Sequence, residues 1–167
     1  KILGYRSRAA FKLIELNNKF KFIKSNSNLL DVGSYPGGWS QVASKIISNG
    51  KILSMDLKIM EPIRNVKFLN SDIFDKKTED KINNFFKDKL DVIISDMAAD
   101  TTGNKSLDSI RTNQLCTEAL VLSSKTLNPK GVFVSKLFMG NDFLEVKKLA
   151  KSLFKNVNFF KPKSSRD

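Results

Sequence analysis

The sequence predicts an α/β fold, with a mostly parallel central sheet and helices on both faces. Three observations predict it. Short apolar strands alternate with amphipathic helical stretches along most of the chain. The stretch 90–95 is almost wholly apolar, as expected of a strand covered on both faces. A glycine-rich turn, Gly33-Ser34-Tyr35-Pro36-Gly37-Gly38, joins the first strand to the helix that follows. In such sheets ligands bind beyond the carboxyl ends of the strands.

In chain order, residues 7–20 read as a helix. Ala9, Leu13, Leu16 and Phe20 give one apolar face, and Arg8, Lys12, Glu15 and Lys19 lie on another. Residues 29–32 form the first strand. The glycine turn leads into a helix at 39–48, which Asn49-Gly50 caps. Strands follow at 51–55, closed by Asp56, and at 66–69, followed by Asp72. Residues 78–87 are helical, with Ile82, Phe85 and Phe86 as the apolar side, and 90–95 is the fourth strand. A polar loop at 101–106 precedes a long helix at 107–127, with Leu115, Ala119 and Leu122 on one side and Asn128-Pro129-Lys130-Gly131 as its stop. A fifth strand is expected at 132–138. A helix at 142–154 turns Phe143, Val146, Ala150 and Leu153 inward, and a sixth strand is expected at 157–160.

A chain of 167 residues suits one domain with its own core, expected to span 1–167. Hydrophobic content of 41% fits a soluble globular protein, and no apolar run approaches a membrane span, so no membrane partner is expected. The chain does not begin with Met and shows no signal-peptide pattern, so it reads as a trimmed fragment whose targeting stays open; a soluble, intracellular monomer is the expectation. A single cysteine, Cys116, excludes an internal disulfide and a cysteine zinc cluster. The lack of histidine removes Ser-His-Asp and Cys-His catalysis and most zinc chemistry. The formal charge of +12, from 29 basic and 17 acidic residues, favours an anionic partner, nucleic acid first. Lysine scattered among Asn and Ile by compositional bias gives the same excess.

The glycine turn, Asp56, Asp72, Asp96 and Lys136 all fall at carboxyl ends of strands. Gly33, Gly37 and Gly38 allow close approach of backbone to a ligand. Their spacing, Gly-x-x-x-Gly-Gly, is not the Gly-x-Gly-x-x-Gly of dinucleotide enzymes, which sets NAD aside. Asp56 is placed to accept hydrogen bonds from two ribose hydroxyls, or is a helix cap or surface carboxylate. Asp72 is placed to take an adenine amino group, or caps the following turn. Lys136 interrupts an otherwise apolar strand, where a lysine is costly unless paired or functional. Asp96 is its natural partner, in a structural ion pair or a catalytic one.

These residues carry a resemblance to a known family. Tyr5-Arg6-Ser7-Arg8-Ala9-Ala10-Phe11-Lys12-Leu13, Pro36-Gly37-Gly38-Trp39-Ser40-Gln41, Ser95-Asp96-Met97-Ala98, Lys136-Leu137-Phe138-x-Gly140 and Lys161-Pro162-x-Ser164-Ser165-Arg166 stand in family order over nearly all of the chain. The sequence resembles the FtsJ/RrmJ family of S-adenosylmethionine-dependent RNA ribose 2′-O-methyltransferases. The resemblance implies a Rossmann-like methyltransferase fold and a Lys-Asp-Lys-Glu tetrad whose first three members fall on Lys12, Asp96 and Lys136. It implies S-adenosylmethionine as cofactor, S-adenosylhomocysteine as product and no metal. Cofactor contacts carry over to Gly37, Trp39, Asp56, Asp72 and Asp96, joined by Gly33 and Gly38 of the same turn. Arg6, Arg8, Lys161, Lys163 and Arg166 are the expected RNA phosphate contacts. The fourth tetrad member, a Glu, normally follows the Ser-Ser-Arg segment, so the chain is expected to lack it and the seventh, antiparallel strand. Ala99-Asp100 stands where the family usually has Pro-Asn.

The Gly-Gly-Trp and Lys-Leu-Phe-x-Gly forms resemble the ribosomal RNA branch more than the tRNA branch. Methylation of a tRNA or mRNA-cap ribose is the alternative, and so is an RNA-binding module that holds cofactor without catalysis.

Overall fold

A computed structural model describes residues 3–165. Five parallel strands form one sheet in the order β3-β2-β1-β4-β5. They are β1 (Leu29–Val32), β2 (Ile52–Asp56), β3 (Val66–Asn70), β4 (Leu90–Ser95) and β5 (Leu127–Ser135). The helices are α1 (Ala9–Phe20), α2 (Gly38–Ile46), α3 (Thr78–Phe86), α4 (Lys105–Thr126) and α5 (Phe143–Leu153). The strand order reverses between β1 and β4, which opens a crevice past their carboxyl ends.

Side chains alternate across the central strands, as the pleat requires. Leu29, Ile52 and Val92 lie side by side on one face and pack with Ala10 and Leu13 of α1 and Trp39, Val42 and Ala43 of α2. Leu30, Leu53 and Ile93 face the other way, onto Ile82 and Phe86 of α3 and Leu122 of α4. Both faces are thus covered, and β1 is buried at every position.

Three expectations are corrected. First, β5 spans 127–135 rather than 132–138. It follows α4 directly, and Asn128-Pro129-Lys130-Gly131, read as a helix stop, forms a bulge between the Leu90–Leu127 and Val92–Val132 pairs. Asn128 shapes the bulge, donating to Asp91 Oδ1 at 2.7 Å and accepting the Lys130 N–H at 2.9 Å. Pro129 has no N–H to give a ladder, so a bulge suits it. Second, residues 157–160 form no strand. Their aromatic rings are taken up by helices: Phe160 meets Phe20 of α1 edge-on at 5.9 Å, and Phe159 meets Phe143 of α5 at 4.9 Å. Third, the buried face of α4 includes the polar pair Thr112 and Asn113, while Leu115 is only half-buried. On α5 Leu153 is exposed and Val146 is the buried residue.

Candidate active site

The floor of the crevice is the turn after β1. The chain must reverse there, and Gly33 and Gly37 supply φ values of +72° and +121° that favour glycine. The N–H groups of Gly33 and Ser34 both reach back to Met55 O on β2, at 2.8 and 3.0 Å. A side chain on Gly33 would collide with Met97, which follows Asp96. Gly38 also has a packing role: a Cβ there would strike Ser7 Oγ, so this glycine lets α2 approach the start of α1. Trp39 is likewise buried between those helices, 5% exposed, with its indole N–H donating to Ala9 O at 2.7 Å.

Asp56 closes the end of β2. Its Oδ2 accepts the Tyr35 N–H and its Oδ1 the Lys58 N–H, each at 2.8 Å. Each oxygen keeps a further acceptor position for a ligand hydroxyl. At Asp72, Oδ1 accepts the Phe74 N–H at 3.0 Å, which is the turn-capping arrangement, and Oδ2 remains uncommitted. The side-chain-free glycine turn and the remaining acceptor positions of these two carboxylates suit a ligand carrying a vicinal diol and an exocyclic amine, as the nucleoside of S-adenosylmethionine does.

Arg6 is anchored inward. Its Nη1 donates to Pro36 O at 3.2 Å and Glu61 O at 2.6 Å, and its Nη2 to Pro62 O at 2.9 Å. The guanidinium therefore bridges the glycine turn and the segment beyond β2. A phosphate contact would have to share it with three carbonyls. Arg8 and Lys163 are exposed, as is Lys161, which makes contacts of its own. Arg166 lies outside the described residues.

Asp96 and Lys136 follow the paired ends Ser95 and Ser135 of β4 and β5, and the Lys136 N–H donates to Ser95 O at 2.9 Å. Lys136 is thus one residue past the strand rather than inside it. Its ammonium lies 5.0 Å from the centre of the Phe138 ring and does not close to an ion pair with Asp96. The two groups still feel one another. Burial pushes the Asp96 carboxyl above its usual range, against the pull of Lys136 and Lys12. Burial pushes the Lys136 amine below its usual range, opposed by Asp96 and helped by Lys12. The half-buried Lys12, on α1, completes this charge cluster. An amine with a lowered pKa beside a carboxylate can accept a proton from a hydroxyl.

A profile of the FtsJ-like methyltransferase family matches residues 5–167. The chain belongs to the FtsJ-like methyltransferases. It is 47% identical over 163 residues to the ribosomal RNA large subunit methyltransferase E of Pelagibacter ubique, covering 98% of this chain and 80% of that one. The protein of the same name from Rickettsia akari is 46% identical over 172 residues, covering 99% and 76%. A Plasmodium falciparum structure described as a ribosomal RNA methyltransferase superposes with a TM-score of 0.88 at 37% identity, covering 96% of this chain and 93% of that one.

Four polar residues that tie this FtsJ-like fold together around the crevice had no role in the sequence reading. Asp31, on β1, is 1% exposed and accepts a hydrogen bond from Ser40 at 2.6 Å, and Ser40 in turn meets Ser54 at 2.5 Å. Burial outweighs that bond and pushes the Asp31 carboxyl up to about 7, with Asp96 and Asp56 adding to the rise. Glu15 holds the segment beyond α5: Oε2 accepts the Lys163 N–H at 2.7 Å and Oε1 the Ser164 N–H at 2.8 Å. Thr112 and Asn113 bind the loops after β4 and β5. The available signal was polarity on inward faces: an Asp inside an apolar strand, and Thr-Asn on a core-facing helix turn.

Proposed function

We propose that this methyltransferase transfers a methyl group from S-adenosylmethionine to a ribose 2′-hydroxyl of RNA, with ribosomal RNA as the substrate. The observation that carries the reading is the cluster of Lys12, Asp96 and Lys136 beside the glycine turn of an FtsJ-like chain. The names of its bacterial relatives favour ribosomal RNA. The net charge of +12 suits a polyanion.

Gly33, Gly37, Asp56 and Asp72 hold the cofactor, which when bound supplies an electrophilic methyl group. Lys136 takes the proton of the 2′-hydroxyl as its oxygen attacks. Asp96 fixes the lysine's direction, and burial, helped by the like charge of Lys12, moves its amine below the usual lysine range. Lys12 also orients the target nucleotide. Alignment of this kind is worth roughly 7–11 kcal/mol in well-oriented systems. The exposed Arg8 and Lys163 lie where phosphates steer onto the protein.

The test is methylation of ribosomal subunits, free ribosomal RNA, tRNA and capped mRNA with labelled cofactor, the product being mapped to one ribose. Label in a single ribosomal 2′-O-methyl nucleotide is the expected result. Label confined to tRNA or cap moves the substrate. Calorimetric binding of S-adenosylmethionine without transfer to any RNA leaves a non-catalytic binding module, and binding of NAD in its place overturns the cofactor as well.

A further inference from the structure

We propose that Thr112 and Asn113, neighbours on the buried face of α4, are positioning residues that set Asp96 and Lys136 against one another. Each latches one of the two loops that carry the pair. The inference rests on the reading of Asp96 and Lys136 as the reacting side chains.

The two residues are 1% and 0% exposed. Thr112 Oγ1 accepts the Ala99 N–H at 3.0 Å, in the loop that Asp96 opens. Asn113 Oδ1 accepts the Phe138 N–H at 2.9 Å, and its Nδ2 donates to Phe138 O at 3.0 Å and to Asp142 Oδ1 at 2.8 Å. The amide therefore takes both backbone groups of Phe138, as a neighbouring strand would. The bond from Lys136 N–H to Ser95 O is the last one β5's continuation makes to the β4 end, and beyond it Asn113 replaces β4 as the partner. That exchange bends the chain out of the sheet at Lys136, which is why the strand stops short of its apolar run. Lys136 is held between a sheet bond at its own N–H and a latch two residues on. A Cβ on Gly140 would strike Ser109 Oγ, one helical turn before Asn113, so the same loop lies flat on α4.

A buried primary amide is costly unless its donors and acceptor are engaged, and here both Nδ2 hydrogens and Oδ1 are. Packing alone would be served by an apolar residue. What the polar pair adds is direction: two loops are referred to one rigid helix, which fixes the separation of the groups they present. The charged groups facing Lys136 are Asp96, past the end of β4, and Lys12, from α1. Release of the loop moves the amine away from its buried surroundings.

The experiment measures methyl transfer to RNA against pH, calorimetric affinity for S-adenosylmethionine and thermal unfolding for Asn113→Ala, Asn113→Asp, Thr112→Val and Thr112→Ser. Asn113→Ala is expected to lose on the order of 10²-fold in kcat, the cost of about 1 Å of misplacement. Cofactor affinity should stay within about twofold, because the glycine turn, Asp56 and Asp72 are untouched. The alkaline rise of the pH–rate profile should move up toward the ordinary lysine range. Thr112→Val should also lower kcat, and Thr112→Ser, which keeps the acceptor, should restore it. If Asn113→Ala fails to fold, Asn113→Asp carries the test, since it keeps the size and Oδ1 but loses both donors. Parent kcat and pH profile in folded variants overturn the proposal, as does failure of all four to fold. Lys136→Ala is measured alongside: if it retains the parent rate, the reading of the reacting pair fails, and if it alone is inactive, only the latch fails.

Discussion

Replacing Arg6 by alanine separates two uses of one residue. The side chain makes three hydrogen bonds of 2.6–3.2 Å to carbonyls on either side of the crevice floor. A hydrogen bond from a charged donor contributes about 1.5–3 kcal/mol. The carbonyls of Glu61 and Pro62 are at the surface, where water substitutes, so the bonds do not add. The expected loss is about one such bond, ~1.5–3 kcal/mol, concentrated on the turn that holds the cofactor. Because the bound cofactor needs that turn ordered, most of the loss should appear as a roughly 10- to 100-fold rise in Kd for S-adenosylmethionine. Arg6→Lys should recover only part, since one ammonium lacks the fork that spans two segments. Calorimetry gives the first quantity. RNA binding across a salt series gives the control, whose slope should not change. A parent-like Kd with a slope reduced by about one unit would refute the reasoning and return Arg6 to the phosphate contacts.

Lys136→Ala should cut turnover by a factor on the order of 10²–10⁴ with cofactor affinity intact, and Lys136→Arg should not rescue it, because guanidinium stays protonated; a parent rate in either variant sinks the general-base role. The parent rate should rise with pH through a midpoint below the usual lysine range, the direction in which burial moves this amine; a midpoint at or above that range contradicts it. Asp31, raised on folding to about 7, binds its proton more tightly in the native state than in the unfolded one. Its contribution to stability is present below the ordinary carboxylate range and is lost as pH rises to about 7 and beyond. Asp31→Asn should therefore gain on the order of 1–3 kcal/mol over the parent at about pH 8 but not at about pH 4, read by urea unfolding; an equal difference at both values tells against the buried acid. Gly33→Ala forces a side chain into a left-handed φ and against Met97, so it should lose at least ~1–2 kcal/mol and weaken cofactor binding, and an unchanged melting temperature would show that the turn relaxes freely.

The sheet was legible because its strands are short apolar runs closed by turn residues, and all of β1 to β4 fall within a residue or two of where that pattern puts them. The pattern failed where polar side chains redirect backbone. Nothing in Val132 to Phe138 says that Asn113, more than twenty positions earlier, will take the hydrogen bonds of Phe138 and end β5 early. Val157 to Phe160 has strand composition, but its rings find Phe20 and Phe143 before its backbone finds an edge. At the site, residue type and position past a strand end pointed to Asp96 and Lys136, whereas Lys12, inside α1, came only with the family resemblance. They did not reveal which way a side chain turns. Arg6 and Trp39 look like surface and ligand residues in the sequence, yet each joins two segments of the fold.

Glu15 also makes very long-range contacts. Its two hydrogen bonds close loops of 148 and 149 residues, whereas Leu29 meets Ile52 across a single helix. Loop-closure entropy grows with that distance, and the sheet can register without Glu15. The flank of α1 that carries Lys12 is accordingly expected to set after the sheet. A molecule in which that clasp opens, as Glu15→Ala would make it, keeps the crevice floor in register while the Lys12 flank loses its fastening.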